Sequence, residues 1–165
     1  RDDVESRGLG DVYKRQQQIE GMKMITLVAN HIGVDTYLWL REAVGFKKLT
    51  RTQAVKALKN SLYVVAAYAD DRIVGMGRIV GDGAVICYIQ DLMIHPDYQK
   101  AGVGSKIIEN LIAFVESIRE DDTEMMLDLM CAKGREAFYE AHGFISRPNE
   151  SLGPGMIRYL KERRA

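Results

Sequence analysis

Apolar positions fall into short, β-rich runs up to residue 94 and change to a helical period after residue 102. Residues 24–29 predict a first strand. Asp35 is suited to cap a helix over residues 36–44, where Tyr37, Leu38, Leu40, Arg41 and Val44 spread over two turns. Gly45 followed by Phe46 is a helix stop, a left-handed glycine and an apolar residue folding back. Thr50 opens a second short helix through Ala54, Val55 and Leu58, with Arg51, Gln53, Lys56 and Lys59 left to solvent. Residues 62–68, 73–80 and 85–94 are strands separated by Asp70-Asp71 and by Gly81-Asp82-Gly83, which predicts an antiparallel meander. Val103, Ile107, Leu111, Val115 and Ile118 then recur at helical spacing over residues 102–119. Residues 125–130 form a further strand, so strand, helix and strand predict a parallel pairing with a right-handed crossover. A helix over residues 134–142 ends at Gly143-Phe144, repeating the earlier stop, and residues 156–160 predict a last strand returning as a hairpin. The expected fold class is α+β, a mixed, splayed central sheet with helices on both faces.

A chain of 165 residues is long enough for one domain with its own core. Its 23 basic and 23 acidic residues cancel, so no net field draws it to nucleic acid or to an anionic membrane. No apolar run approaches the roughly 20 residues of a membrane helix. Cys87 and Cys131 lack the close spacing of metal ligands and predict two buried, reduced thiols, with no metal, in a cytoplasmic protein. Residues 1–21 have no periodic apolar face, and residues 10–16 resemble translated adapter sequence. They are expected to be a non-native or disordered extension, with residues 22–165 forming the domain.

The segment richest in chemistry runs from Asp91 to Ser105. A strand ends at Pro96, and a helix starts within Gln99-Lys100-Ala101-Gly102-Val103-Gly104. Two glycines in that first turn let a ligand approach the backbone. Free N–H groups at a helix start attract anions, and Lys100 adds a charge, which suits a pyrophosphate. The Lys-Ser/Thr ending of a P-loop is absent. So are the third glycine and leading βαβ unit of a dinucleotide fold.

Gln99-Lys100-Ala101-Gly102-Val103-Gly104 resembles the pyrophosphate loop of the GNAT superfamily of N-acetyltransferases, Gln/Arg-x-x-Gly-x-Gly/Ala. Leu92-Met93-Ile94-His95-Pro96 resembles that family's splayed fourth strand. Phe138-Tyr139-Glu140-Ala141-His142-Gly143-Phe144 is similar to its second signature, and the resemblance covers residues 24–160. It implies the acyl-CoA N-acyltransferase fold, with acetyl-coenzyme A as co-substrate lying where the sheet splits. The pyrophosphate would lie on Gln99, Lys100, Ala101, Gly102, Val103, Gly104 and Ser105, and the pantetheine along Leu92, Met93 and Ile94. The amine would attack directly. Tyr139 matches the family's usual proton donor to the departing thiolate. Phenol is a weaker acid than thiol, about 10 against about 8.5, so full transfer is uphill by roughly 2 kcal/mol and the hydroxyl acts mainly as a hydrogen-bond donor.

One departure is the stretch Ala132-Lys133-Gly134-Arg135, where many family members carry an Asn. An alkylammonium costs about 4.6 kcal/mol to neutralise at pH 7, so a proton acceptor is needed. The candidate is Asp91, beside Gln90 on the strand lining the cleft, with a structural carboxylate as the alternative. His31, His95 and His142 are assigned structural places. The expected acceptor is a primary amine of a small molecule, acted on by a monomer or homodimer. The alternatives are a peptide or protein amine, or a coenzyme A-binding sensor without turnover.

Overall fold

The computed structural model describes residues 24–161, so the expected extension over residues 1–21 lies outside them. Strands β1 (Ile25–Ala29), β2 (Tyr63–Ala69), β3 (Arg72–Gly81), β4 (Ile86–Ile94) and β5 (Met126–Asp128) form one sheet in sequence order. β1 to β4 pair antiparallel, and β5 joins β4 in parallel. Helices α1 (Val34–Ala43) and α2 (Arg51–Lys59) cover one face. The long α3 (Val103–Ile118) covers the other, and the short α4 (Glu136–Glu140) follows β5.

Each helix boundary has a local cause. The N-cap of α1 is Gly33 rather than Asp35, which falls in the first turn and favours the positive end of the dipole. Its stop is the one predicted: Gly45 has φ +73°, its N–H donates to Glu42 O at 3.0 Å, and the Phe46 N–H donates to Arg41 O at 2.9 Å. The same pattern recurs at Gly143, with the Phe144 N–H donating to Tyr139 O at 3.2 Å. Thr50 and Gln53 form a reciprocal capping box at α2.

The α3 face is the larger core, where Val103, Ile107, Ile108, Leu111 and Val115 pack on Val65, Val74, Cys87 and Ile89. Each such aliphatic side chain contributes about 1.5–3 kcal/mol on burial. Gly77 permits the close approach, because a Cβ there would stand 2.7 Å from Leu111 Cδ1. Opposite, Tyr37 and Leu40 of α1 and Ala54 of α2 enclose Val64, Ala66, Met76 and Met93.

Two further expectations are corrected. Residues 156–160 form no strand: Met156, Ile157, Tyr159 and Leu160 are exposed, and the neighbouring β5 is only three residues long. Cys131 is exposed, while Cys87 is buried as expected, and neither is bonded to the other. No helix among the described residues is long and apolar enough to cross a membrane.

Candidate active site

β4 changes face partway along. Met76 pairs with Met93 and Arg78 with Gln90, so Gly77 alone opposes both Asp91 and Leu92. This bulge carries Asp91 at φ +56°. Before it, Cys87 and Ile89 face α3; after it, Leu92 and Ile94 do, and Asp91 and Met93 turn to the α1 side. β5 pairs only with residues Ile86, Cys87 and Tyr88 of β4. From Ile89 onward the outer edge of β4 has no strand neighbour among the described residues, and the sheet splays as the resemblance implies.

A groove of about 480 Å³ opens at that split. Its lining includes Leu92, Met93 and Ile94 of β4, Gln99, Lys100, Gly102, Gly104 and Ser105 of the loop, and Phe138 and Tyr139 of α4. Eight of the ten residues expected to hold coenzyme A therefore line one groove with Tyr139. Val103 turns its side chain into the α3 core, and Ala101 lies in the loop without lining the groove. Val44 and Phe46 from the α1 stop, and Ala132 and Arg135 after β5, also line the groove and were not among the expected site residues. Only the Gly-Phe stop signalled Phe46. The stretch from Ala132 to Arg135 was marked only as the place where many family members carry an Asn, not as the source of a second cation.

The start of α3 has the properties of an anion cradle. Lys100 (φ +61°) and Gly102 (φ +80°) are both left-handed, which turns successive N–H groups toward one side. Among the described residues no side chain caps the helix, and the first intrahelical bond is from Lys106 N to Gly102 O. The Gln99 side chain donates to Ile94 O at 3.1 Å and ties the loop to the end of β4. At Gly104 a Cβ would meet Phe138 Cζ at 3.4 Å and Ile94 Cγ1 at 3.8 Å, so side-chain bulk there intrudes among groove residues. Open donors, a nearby lysine and arginine, and bare backbone fit a diphosphate.

Tyr139 packs edge-on against Phe138 and Phe144, with centroids at 5.1 and 5.9 Å. Burial raises its pKa above the ordinary phenol value. Its hydroxyl has no hydrogen-bond partner among the described residues, and the residue lines the groove.

Asp91 is fully occupied. Its Oδ1 accepts from Arg41 Nη1 at 2.6 Å and from Gln90 Nε2 at 3.3 Å. Its Oδ2 accepts from the Tyr37 hydroxyl at 2.5 Å and from Arg78 Nε at 2.8 Å. Burial alone would raise its pKa. The hydrogen bonds from Tyr37 and Arg78 and the charges of Arg78 and Arg41 outweigh that, holding the carboxyl below the usual range. A substrate ammonium would have to displace one of these donors. Among the histidines, His95 stacks on Trp39, His142 Nδ1 lies 2.8 Å from Phe138 O, and His31 is exposed.

A family sequence model described as an acetyltransferase (GNAT) domain matches residues 59–146. An uncharacterized ycf52-like N-acetyltransferase of Prochlorococcus marinus is 29% identical over 113 residues, 66% of this chain and 61% of that protein. The chain thus spans about three fifths of that relative's length. A probable acetyltransferase of unknown function from methicillin-resistant Staphylococcus aureus superposes with a TM-score of 0.72 at 28% identity, covering 82% of this chain and all of that one. A GNAT family acetyltransferase from Streptococcus pneumoniae gives 0.71 at 27% identity, over 84% of this chain and all of the other. With the matched domain spanning just over half of its residues, the chain belongs to the GNAT acetyltransferase family.

Proposed function

We propose that this protein transfers an acetyl group from acetyl-coenzyme A to the primary amine of a small molecule by direct attack. The observation that carries the reading is the single groove lined by the splayed end of β4, the uncapped start of α3 and the unpartnered hydroxyl of Tyr139. Gln99, Lys100, Ala101, Gly102, Val103, Gly104 and Ser105 hold the diphosphate, mainly through backbone N–H groups. Leu92, Met93 and Ile94 offer the outer edge of β4 to the pantetheine amides. When bound, acetyl-coenzyme A supplies an activated thioester carbonyl and a thiol leaving group. Tyr139 places its O–H where negative charge builds on sulfur, an interaction stronger in the transition state than in the bound ground state.

Asp91 serves this site as a positioning residue. Its four donors come from α1, β3 and β4, so the ionised carboxylate fixes the bulge that aims the end of β4 into the groove. Two free cysteines support a reducing, cytoplasmic location. The test is release of coenzyme A thiol from acetyl-coenzyme A on addition of a panel of small primary amines. Amine-dependent release supports the reading. Tight binding of acetyl-coenzyme A with no release for any small amine or lysine-bearing peptide would make the domain a sensor.

A further inference from the structure

Asp91 has no oxygen to spare for a substrate proton, yet a second carboxylate stands at the fork of the sheet. Asp128 is the last residue of β5 and pairs with Tyr88 of β4, the final rung before the strands part. Leu127 and Leu129 pack into the α3 core, as do Cys87 and Ile89. By strand alternation Asp128 and Tyr88 therefore project together from the opposite face, the face on which Gln90 and Asp91 also lie. The Tyr88 hydroxyl accepts from Met130 N at 3.0 Å, which holds the ring across the fork.

Asp128 Oδ1 is buried and has no hydrogen-bond partner among the described residues. A half-buried carboxylate left with an unsatisfied oxygen is unfavourable by itself and awaits a donor. We propose that this donor is the acceptor's ammonium group, and that Asp128 is the proton acceptor of the transferase reaction. The assignment rests on the acetyl-transfer reading. In the step, an N–H bond of the ammonium breaks and an O–H bond forms at Oδ1. The electron pair stays on nitrogen for the attack, and Asp128 later returns its proton to solvent.

The surroundings suit that task. Burial raises the Asp128 pKa, opposed by its own backbone amide and by the charge of Arg147. The Arg147 side chain is engaged elsewhere, donating from Nε to Gly153 O at 2.7 Å. Tyr88 beside it feels the charges of both Asp128 and Asp91, and Tyr159 acts on the same ring. Two carboxylates on one sheet face thus have pKa values pushed in opposite directions. Hydrogen bonds and arginine charges lower that of Asp91, which anchors, and burial raises that of Asp128, which favours proton uptake. The preferred substrate class is a cationic primary amine, because a carboxylate in this position disfavours an anionic acceptor.

The experiment compares the parent with Asp128→Asn and Asp128→Glu. For Asp128→Asn we expect kcat at neutral pH to fall at least about tenfold, within the 10²–10⁴-fold range of general-base loss or just below it. The deficit should narrow as pH rises and free amine accumulates, while the acetyl-coenzyme A thermal shift stays unchanged. Because burial disfavours the ionised form, Asp128→Asn should melt at the same temperature as the parent or higher; loss of a structural carboxylate would lower it. Asp128→Glu should recover part of the rate. Independently of turnover, ¹³C-carboxyl titration should find Asp128 above the usual aspartate range and shifted by n-butylammonium. Parent-like kcat in Asp128→Asn, or a carboxyl that titrates at or below the ordinary value and ignores n-butylammonium, would overturn the proposal. If the parent itself acetylates no amine, the transferase reading fails, and the titration still decides whether Asp128 is an ammonium site.

Discussion

Replacing Asp91 by Asn keeps the shape of the side chain but removes its charge and turns one acceptor oxygen into an NH2 donor. The Asp91 side chain is fully buried, and those of Arg41 and Arg78 are only 10% and 11% exposed. Both guanidinium groups would lose their counter-ion at once, with little water to replace it. Removing one partner from a buried ion pair typically costs about 3–5 kcal/mol, much of it from the charge left behind. At roughly 2–4 °C per kcal/mol for a chain of this size, Tm should fall by about 6–20 °C. Thermal and urea unfolding followed by circular dichroism at pH 7 would measure it. The pH dependence supplies a second arm. The folded-state pKa of Asp91 is depressed, so its stabilisation is fully present above the unfolded value and is lost as pH falls through the folded one. The gap between parent and Asp91→Asn should therefore close on acidification below the usual carboxylate range. A loss under about 1 kcal/mol at neutral pH, or a gap that persists in acid, would refute this account of the network.

The loop and groove give two further tests. Gly102→Ala should destabilise by about 1–2 kcal/mol, because residue 102 has φ +80° and its cost is conformational rather than steric, with nothing within 4 Å of a Cβ; chemical denaturation reads it directly. Acetyl-coenzyme A at 100 times its Kd should stabilise the parent by about 2.7 kcal/mol. Gly104→Val should lose that thermal shift while remaining folded, since the added carbons enter the groove beside Phe138 and Ile94.

The fold was legible where local physics decides it. Both Gly-Phe stops, the Thr50 cap, the meander and the α3 stripe follow from propensity and period, and each stands within a residue or two of its expected place. The phosphate loop was readable for the same reason, since left-handed backbone and a bare helix start are properties of a few consecutive residues. The Asp91 network was not, because it joins residues 37, 41, 78 and 91 from three separate elements through a bulge that flips the strand's alternation. Asp128 was hidden likewise: its neighbours are apolar in sequence, and its meaning comes from the register that places it beside Tyr88. The strand expected at residues 156–160 shows the limit of pattern alone, since a β-rich run needs a partner edge, and β5 offers three residues.

The central claim is that chemistry takes place in the groove, with the Tyr139 hydroxyl stabilising the departing sulfur. Its most direct test is kcat for Tyr139→Phe at saturating acetyl-coenzyme A, beside the acetyl-coenzyme A Kd and Tm of the same variant. The ring and its contacts with Phe138 and Phe144 remain, so Kd and Tm should stay near parent values. Loss of an interaction made only in the transition state should lower kcat by at least about tenfold. A variant that turns over as fast as the parent would contradict the claim and return Tyr139 to the core.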